Sequence, residues 1–100
     1  MGKYRLTRAA SNDLTAIFLE GLSRFGIAQA DKYHEGLTAT FEFLAMYPHA
    51  ARLREEISPP VRIHRFKSHL VVYEQGHDDV VIILRVRHGR EDWISSSQDG

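Results

Sequence analysis

The side chains of this chain that could do chemistry lie mainly in its C-terminal part, where cations outnumber acids. Between positions 62 and 90 the cations are Arg62, Arg65, Lys67, Arg85, Arg87 and Arg90. The acids of the same stretch cluster towards one predicted turn and are Glu74, Asp78 and Asp79. Guanidinium groups bind carboxylates and phosphates through paired hydrogen bonds. This distribution predicts that one end of a sheet is basic and contacts acidic groups on a partner.

Metal and cofactor chemistry is not indicated. The chain has six histidines and no cysteine, so no thiolate site is available. His64 and His69 are expected across a hairpin from each other, whereas His34 and His49 belong to a predicted helical region, and this spacing does not predict a zinc site. No glycine-rich phosphate loop or hydrolase elbow is present. We therefore predict no metal, no cofactor and no catalytic residue.

Length and composition limit the class of protein. One hundred residues fit one domain. Thirteen Lys and Arg balance thirteen Asp and Glu, so the chain as a whole lacks the positive charge typical of non-specific nucleic-acid binders. The apolar runs 70–73 and 80–84 are far shorter than the roughly 20 residues of a membrane-spanning helix. Together with the absence of cysteine, these features predict a cytoplasmic protein without membrane contact.

Two helices and four strands must position these side chains. A short strand over 4–6 precedes Thr7, whose hydroxyl can cap a helix that begins near Arg8 and ends at Gly26. A second helix begins near Ile27 and is limited by Pro48. Because the connection is short, the two helices should form an antiparallel hairpin.

After a loop over 51–60, the apolar period changes to two. Strands are predicted over 61–66, 69–75 and 80–87, joined by hairpin turns at 67–68 and 76–79. The order β-α-α-β-β-β predicts an α+β domain, with a mainly antiparallel sheet and an N-terminal helical hairpin packed on one face. We expect the domain to cover residues 1–94, followed by a disordered tail over 95–100.

The last predicted strand is apolar on both faces. Alternation places four residues on one side, Val80, Ile82, Leu84 and Val86, and four on the other, Val81, Ile83, Arg85 and Arg87. A chain of this length has few elements to cover both faces. We therefore expect the second face to meet another macromolecule.

Several segments resemble one family. They are the opening Tyr4-Arg-Leu-Thr-x-Ala-Ala-x-x-Asp-Leu14, the junction Arg24-Phe-Gly26 with Gln29-Ala-Asp31, and the ending Ile83-Leu-Arg-Val-Arg-His-Gly-Arg-Glu-Asp-Trp93. Their order and spacing resemble ParE toxins of the RelE/ParE superfamily over nearly the whole chain. The resemblance implies a type II toxin, neutralised by a ParD-like antitoxin of ribbon-helix-helix type through which the hetero-oligomer contacts DNA. It also implies that the target is DNA gyrase, which such toxins stall on cleaved DNA, blocking replication.

Two sets of site residues follow from this interpretation. We expect contact with the target through Arg85, Arg87, His88, Arg90, Asp92 and Trp93, although a structural role that anchors the last strand is also open for Trp93. We expect contact with an amphipathic helix and a strand of the antitoxin through Leu14, Phe18, Arg62, Arg65, Val81, Ile83 and Arg85.

Two alternatives remain open. RelE-like members of the superfamily are ribosome-dependent ribonucleases that cut messenger RNA, and such chemistry could use Arg65, Lys67, Arg85 and His88. Among these four, His88 is the candidate acid or base near neutral pH. The neutral net charge and the serine-rich tail after Trp93 argue against this activity. The second alternative is a homologue that binds a partner without being toxic.

Overall fold

The computed structural model describes residues 2–89, in which two helices form a hairpin. The helices are α1 (Arg8–Phe25) and α2 (Ile27–Met46), as predicted. Thr7 connects α1 to the sheet: its Oγ1 accepts the Ala10 N–H at 3.0 Å and donates to the Leu84 carbonyl at 2.8 Å. Gly26 lies between the helices with φ 89°, a left-handed conformation that favours glycine and lets the chain reverse.

Five strands form one sheet within the described residues. They are β1 (Lys3–Leu6), β2 (Leu53–Arg54), β3 (Val61–Phe66), β4 (His69–Gln75) and β5 (Val80–His88). Their order is β1-β5-β4-β3-β2; β1 is parallel to β5, and the other neighbours are antiparallel. The predicted α+β class is confirmed. The predicted loop over 51–60 contains β2, a strand of two residues that is too short to show a period in the sequence.

The helical hairpin covers the face of the sheet that carries Val81 and Ile83. Both side chains are 0% exposed and belong to the main core, together with Leu14, Leu37 and Phe41 from the helices. The prediction that this face is left for a partner is therefore wrong, because α1 and α2 bury it themselves.

A β-bulge in β5 explains where the predicted alternation fails. Ile83 and Arg85 pair with consecutive residues of β4, which leaves Leu84 as an extra residue. After the bulge, Val86 packs in the main core beside Ile83, whereas Leu84 packs against a smaller apolar cluster on the opposite face. Strict alternation assigns Leu84 and Val86 to the same face, so the bulge reverses the assignment for the end of the strand.

The described part of the chain contains no helix with the length and hydropathy needed to cross a membrane. The predicted domain boundary at residue 94 and the predicted tail over 95–100 lie outside the described residues.

Candidate interaction surfaces

An ion pair between α1 and β5 positions Arg85. The Arg85 Nε and Nη2 atoms donate to the two carboxylate oxygens of Asp13 at 2.8 and 3.0 Å. The same carboxylate accepts the backbone N–H of Val86 at 2.9 Å, directly after the bulge. The guanidinium is thereby directed towards α1, with its side chain 40% exposed.

These contacts also control the ionisation of Asp13. Burial of the carboxyl favours its neutral form, but the hydrogen bonds from Arg85 and Val86 and the charges of Arg85 and Arg87 favour the carboxylate. The net result is a pKa of Asp13 below its ordinary value of 3.8. The carboxylate that holds β5 against α1 is therefore charged at neutral pH.

One end of the sheet is basic, as the sequence predicts. Arg65 and Lys67 lie at the β3–β4 turn, and His69 at the start of β4 faces His88 at the end of β5, with ring centroids 5.3 Å apart. The Nη1 atom of Arg65 donates to the Lys67 carbonyl at 3.2 Å. Two segments that are distant in sequence, 65–69 and the end of β5, thus bring four cationic or titratable side chains to one end of the fold.

Tyr33 connects this basic end to α2. Its hydroxyl is hydrogen-bonded to Nδ1 of His69 at 2.6 Å, and the Lys67 Nζ lies 5.9 Å from the centre of its ring. Burial raises the pKa of Tyr33 above 10.0, and a backbone hydrogen bond with Ser68 partly opposes that rise. No local motif in the sequence indicates this contact, because its two residues are 36 positions apart.

A cavity of about 360 Å³, here called the end cavity, opens at the basic end. It lies between the helical hairpin and the β3–β4 turn, and its lining includes Tyr33, Lys67, His69 and His88. Its helical lining contains apolar residues, among them Ile17, Phe18 and Leu37, together with Glu20 and Arg24. The end cavity can therefore take an apolar group whose neighbours carry negative charge.

A second concave surface, here called the hairpin groove, lies between the helices and β1. It measures about 560 Å³ and is lined by Tyr4, Leu6, Ser11, Leu14, Thr15, Phe18, Leu19, His34, Thr38 and Phe41. Phe18 and His34 line both concave surfaces and contact each other edge to face, with ring centroids 6.1 Å apart. Leu19 is 57% exposed beside the groove, so an apolar face is presented to solvent there.

The residues predicted to bind an antitoxin are not gathered on one surface. Val81 and Ile83 are fully buried in the core, so their predicted role in direct contact does not fit the fold, whereas Leu14 is 8% exposed and lines both concave surfaces. Phe18 is half-buried and accessible from both concave surfaces. Arg62 donates to the Ala51 carbonyl at 2.8 Å, which fixes the segment before β2.

The remaining predicted residues that the structure describes belong to β3 and to the second half of β5. Arg65 is exposed near the end of β3. Three residues near the end of β5 are half-buried, namely Arg85, Arg87 and His88. The predicted target-binding residues Arg90, Asp92 and Trp93 lie outside the described residues. Four exposed apolar residues lie around the hairpin and were not among the predicted binding residues: Leu19, Leu22, Phe25 and Ile27.

Metal binding was not predicted, and no group of three histidine, aspartate or glutamate side chains within residues 2–89 could hold an ion.

The family of the chain follows from comparison with known proteins. Residues 4–93 match the family described as the ParE toxin of the type II toxin-antitoxin system parDE. Toxin ParE1 of Caulobacter vibrioides is 36% identical over 88 residues, covering 88% of this chain and 90% of that protein. Toxin ParE1 of Mycobacterium tuberculosis is 30% identical over 90 residues, covering 90% of this chain and 92% of that protein.

A solved structure shares the fold. It is described as the chromosomal ParDE TA system from P. aeruginosa, and it matches with a TM-score of 0.74 at 21% identity, covering 88% of this chain and 96% of that chain. With a family match over 4–93 and relatives at 30% identity or more, the chain belongs to the ParE toxin family of type II toxin-antitoxin systems.

Proposed function

We propose that this ParE-family chain inhibits DNA gyrase by binding it in the cytoplasm, and that a ParD-like antitoxin neutralises it. The observation that carries this proposal is the family match, which extends over residues 4–93 and therefore covers both helices and all five strands except Lys3, the first residue of β1. Inhibition by binding requires surfaces rather than a catalytic group, and residues 2–89 offer the end cavity, the hairpin groove and a basic end.

The hairpin groove is the surface we assign to the antitoxin. It is apolar, and Leu6 and Leu19 beside it are 36% and 57% exposed. An amphipathic helix binds such a groove by burying its own apolar face. Phe18 is the one predicted antitoxin-binding residue that lines the groove and is accessible, so it is placed at the centre of this contact.

Strand β1 offers a second means of attachment next to the groove. It lies at the edge of the sheet and pairs with β5 through residues Lys3 to Leu6. An extended segment can add to such an edge through backbone hydrogen bonds. A partner that contains a helix followed or preceded by a strand can therefore occupy the hairpin groove and extend the sheet.

The basic end is the surface we assign to the target. Arg87 and His88 lie there at the end of β5, and Arg65 and Lys67 lie at the adjacent turn. Positive and titratable groups suit an acidic partner surface. The proposal includes Arg90, Asp92 and Trp93, which follow β5 in the sequence.

The ribonuclease interpretation is disfavoured by one contact. Of the four side chains that it requires, Arg65, Lys67 and His88 come to the same end of the sheet. The fourth, Arg85, is instead held by Asp13 through two hydrogen bonds. A guanidinium engaged in this way is poorly placed to stabilise a pentavalent phosphate.

The test is induction of the chain alone in a bacterial host, with the rates of DNA and protein synthesis followed separately. Gyrase inhibition predicts that DNA synthesis falls first, and co-expression of the cognate antitoxin should restore growth. Early loss of translation with cut messages would replace the proposal with ribonuclease activity. Growth without arrest would favour a partner-binding homologue that is not toxic.

A further inference from the structure

One side of β3 is only partly covered by its neighbour. Strand β2 pairs with the first two residues of β3, Val61 and Arg62. Among the strands that the structure describes, none lies beside residues 63–66 on that side. This segment, here called the free edge, is where an extended segment of another molecule can add to the sheet.

The backbone groups of Ile63 and Arg65 point outward along the free edge. The turn between β3 and β4 has two residues, so Phe66 and His69 beside it form a hydrogen-bonded pair. Hydrogen-bonded pairs alternate with unbonded ones along antiparallel strands, so Arg65 and Ile63 belong to the unbonded pairs. The free edge therefore presents two N–H donors and two C=O acceptors.

Exposed apolar side chains border the free edge on its helical side. The ring of Phe43 on α2 has its centre 5.8 Å from that of His64 on β3. Tyr47 contacts Phe43 with ring centroids 5.4 Å apart, and both aromatic side chains are exposed. Leu53 of β2 is also exposed at this side of the sheet. An occupant gains by covering these side chains with apolar groups of its own.

The opposite face of the free edge is cationic. Arg65 alternates with His64 along β3, so it lies on the face away from Phe43, where it is exposed. Acidic side chains complement it. A second copy of this chain does not, because its own outer strands carry Arg65 and, on β1, Lys3 and Arg5. Pairing of these edges would bring like charges together.

We propose that the free edge binds an extended segment of the target whose side chains alternate between apolar and acidic. The apolar side chains cover Phe43 and Tyr47, the acidic ones meet Arg65, and the backbone pairs with Ile63 and Arg65. The inference rests on the proposed function, because the free edge adjoins the basic end that we assign to the target. The antitoxin contact uses β1, at the other edge of the sheet.

Two substitutions at one position test the backbone pairing. Arg65→Ala and Arg65→Pro both remove the guanidinium, but only proline also removes the outward N–H. An edge strand tolerates proline at such a position. We expect Arg65→Pro to need at least about tenfold more chain than Arg65→Ala for half-inhibition of supercoiling by purified DNA gyrase. Equal inhibition by the two folded variants would overturn the proposal.

A substitution on the apolar side keeps the proposal testable if Arg65→Pro does not fold. Phe43→Ser should weaken inhibition of gyrase several-fold, because the target loses an apolar contact. Ile27→Ser is the control, since Ile27 is exposed and lines neither the end cavity nor the hairpin groove. Circular dichroism identifies variants that fold. If folded Phe43→Ser inhibits gyrase as strongly as Ile27→Ser does, the proposal is wrong.

Other occupants of the free edge would give different results. Calorimetric titration with the cognate antitoxin should give the same affinity for Arg65→Pro and Arg65→Ala. A weaker affinity for the proline variant would place the antitoxin at the free edge, and a dimer that only this variant dissolves would place a second copy there. Either result would overturn the proposal.

The gyrase assay also separates this inference from the proposed function. If the original chain leaves gyrase fully active, the proposed function is wrong and the inference fails with it. If the original chain and every folded variant inhibit gyrase equally, the inference alone is wrong.

Discussion

The carboxylate of Asp13 on α1 binds the guanidinium of Arg85 on β5 through hydrogen bonds of 2.8 and 3.0 Å, and it also accepts the Val86 N–H. The contact joins residues 72 positions apart in the chain. It fixes the helical hairpin to β5 directly after the β-bulge. The orientation of the Arg85 side chain is thus a consequence of the packing of α1 against β5.

Removing this carboxylate should destabilise the fold. Asp13→Ala removes the acceptor of the Val86 N–H and the carboxylate that binds the Arg85 guanidinium, and we expect a loss of about 2 kcal/mol in the free energy of unfolding. The partial exposure of Arg85 keeps the loss moderate, because water replaces some of the contact. Urea unfolding provides the measurement. Asn12→Ala, at the neighbouring exposed position, should change stability little; an equal loss there would contradict the role of Asp13.

The contribution of Asp13 should depend on pH. Its pKa is lowered in the folded chain, so the folded state favours the carboxylate more than the unfolded state does. The stabilisation is present above the ordinary value of 3.8 and is lost as pH falls through the lower pKa of the folded chain. The difference in stability between the original chain and Asp13→Ala should therefore shrink in acid. Urea midpoints measured from neutral pH to about pH 2.5 test this; a constant difference would contradict it.

Substitution of alanine for two glycines in the helices should change the stability of the chain in opposite directions. At Gly36 an added Cβ would lie 2.5 Å from the Phe66 Cζ, so the ring that packs against Tyr33 must move. We expect Gly36→Ala to destabilise the chain by about 1 kcal/mol. Gly21→Ala meets only ordinary contacts and should stabilise α1 by about 0.5–1 kcal/mol. Thermal unfolding of both variants measures these changes in stability. An increase in stability for both variants would show that the close approach of Phe66 to Gly36 does not require glycine.

Antitoxin binding through the hairpin groove can be tested with a pair of matched variants. Leu19 lines the groove and is 57% exposed, whereas Met46 on α2 is 61% exposed and lies outside it. Leu19→Asp should weaken antitoxin binding at least about tenfold, equivalent to 1.4 kcal/mol, while Met46→Asp should have little effect. Calorimetric titration with the cognate antitoxin measures both. Equal effects of the two substitutions would place the antitoxin elsewhere.

Local patterns in the sequence predict much of the fold. The apolar period of 3.6 predicts both helices, and Thr7, Gly26 and Pro48 mark their limits. The change to a period of two predicts β3, β4 and β5. These signals work because each depends on residues close together in the chain. Strand β2 has no such signal, since its two residues become a strand only by pairing with Val61 and Arg62.

The candidate surfaces were less predictable because they depend on contacts between distant residues. The bulge at Leu84 moves Val86 to the opposite face from the one that alternation assigns, and no local pattern indicates it. Asp13 is in the first family-like motif, but its sequence position suggests only a helix-dipole role. The contact of Tyr33 with His69 likewise requires the tertiary fold. The basic end was predicted, because the charges themselves are clustered in the sequence.

The most direct test of the central claim is ATP-dependent supercoiling by purified DNA gyrase in the presence of this chain. The account predicts inhibited supercoiling with accumulation of cleaved DNA, and relief of both by the cognate antitoxin added in equimolar amount. The account would be contradicted if gyrase kept its full activity in an excess of the purified chain, provided that expression of the same chain arrests growth in cells.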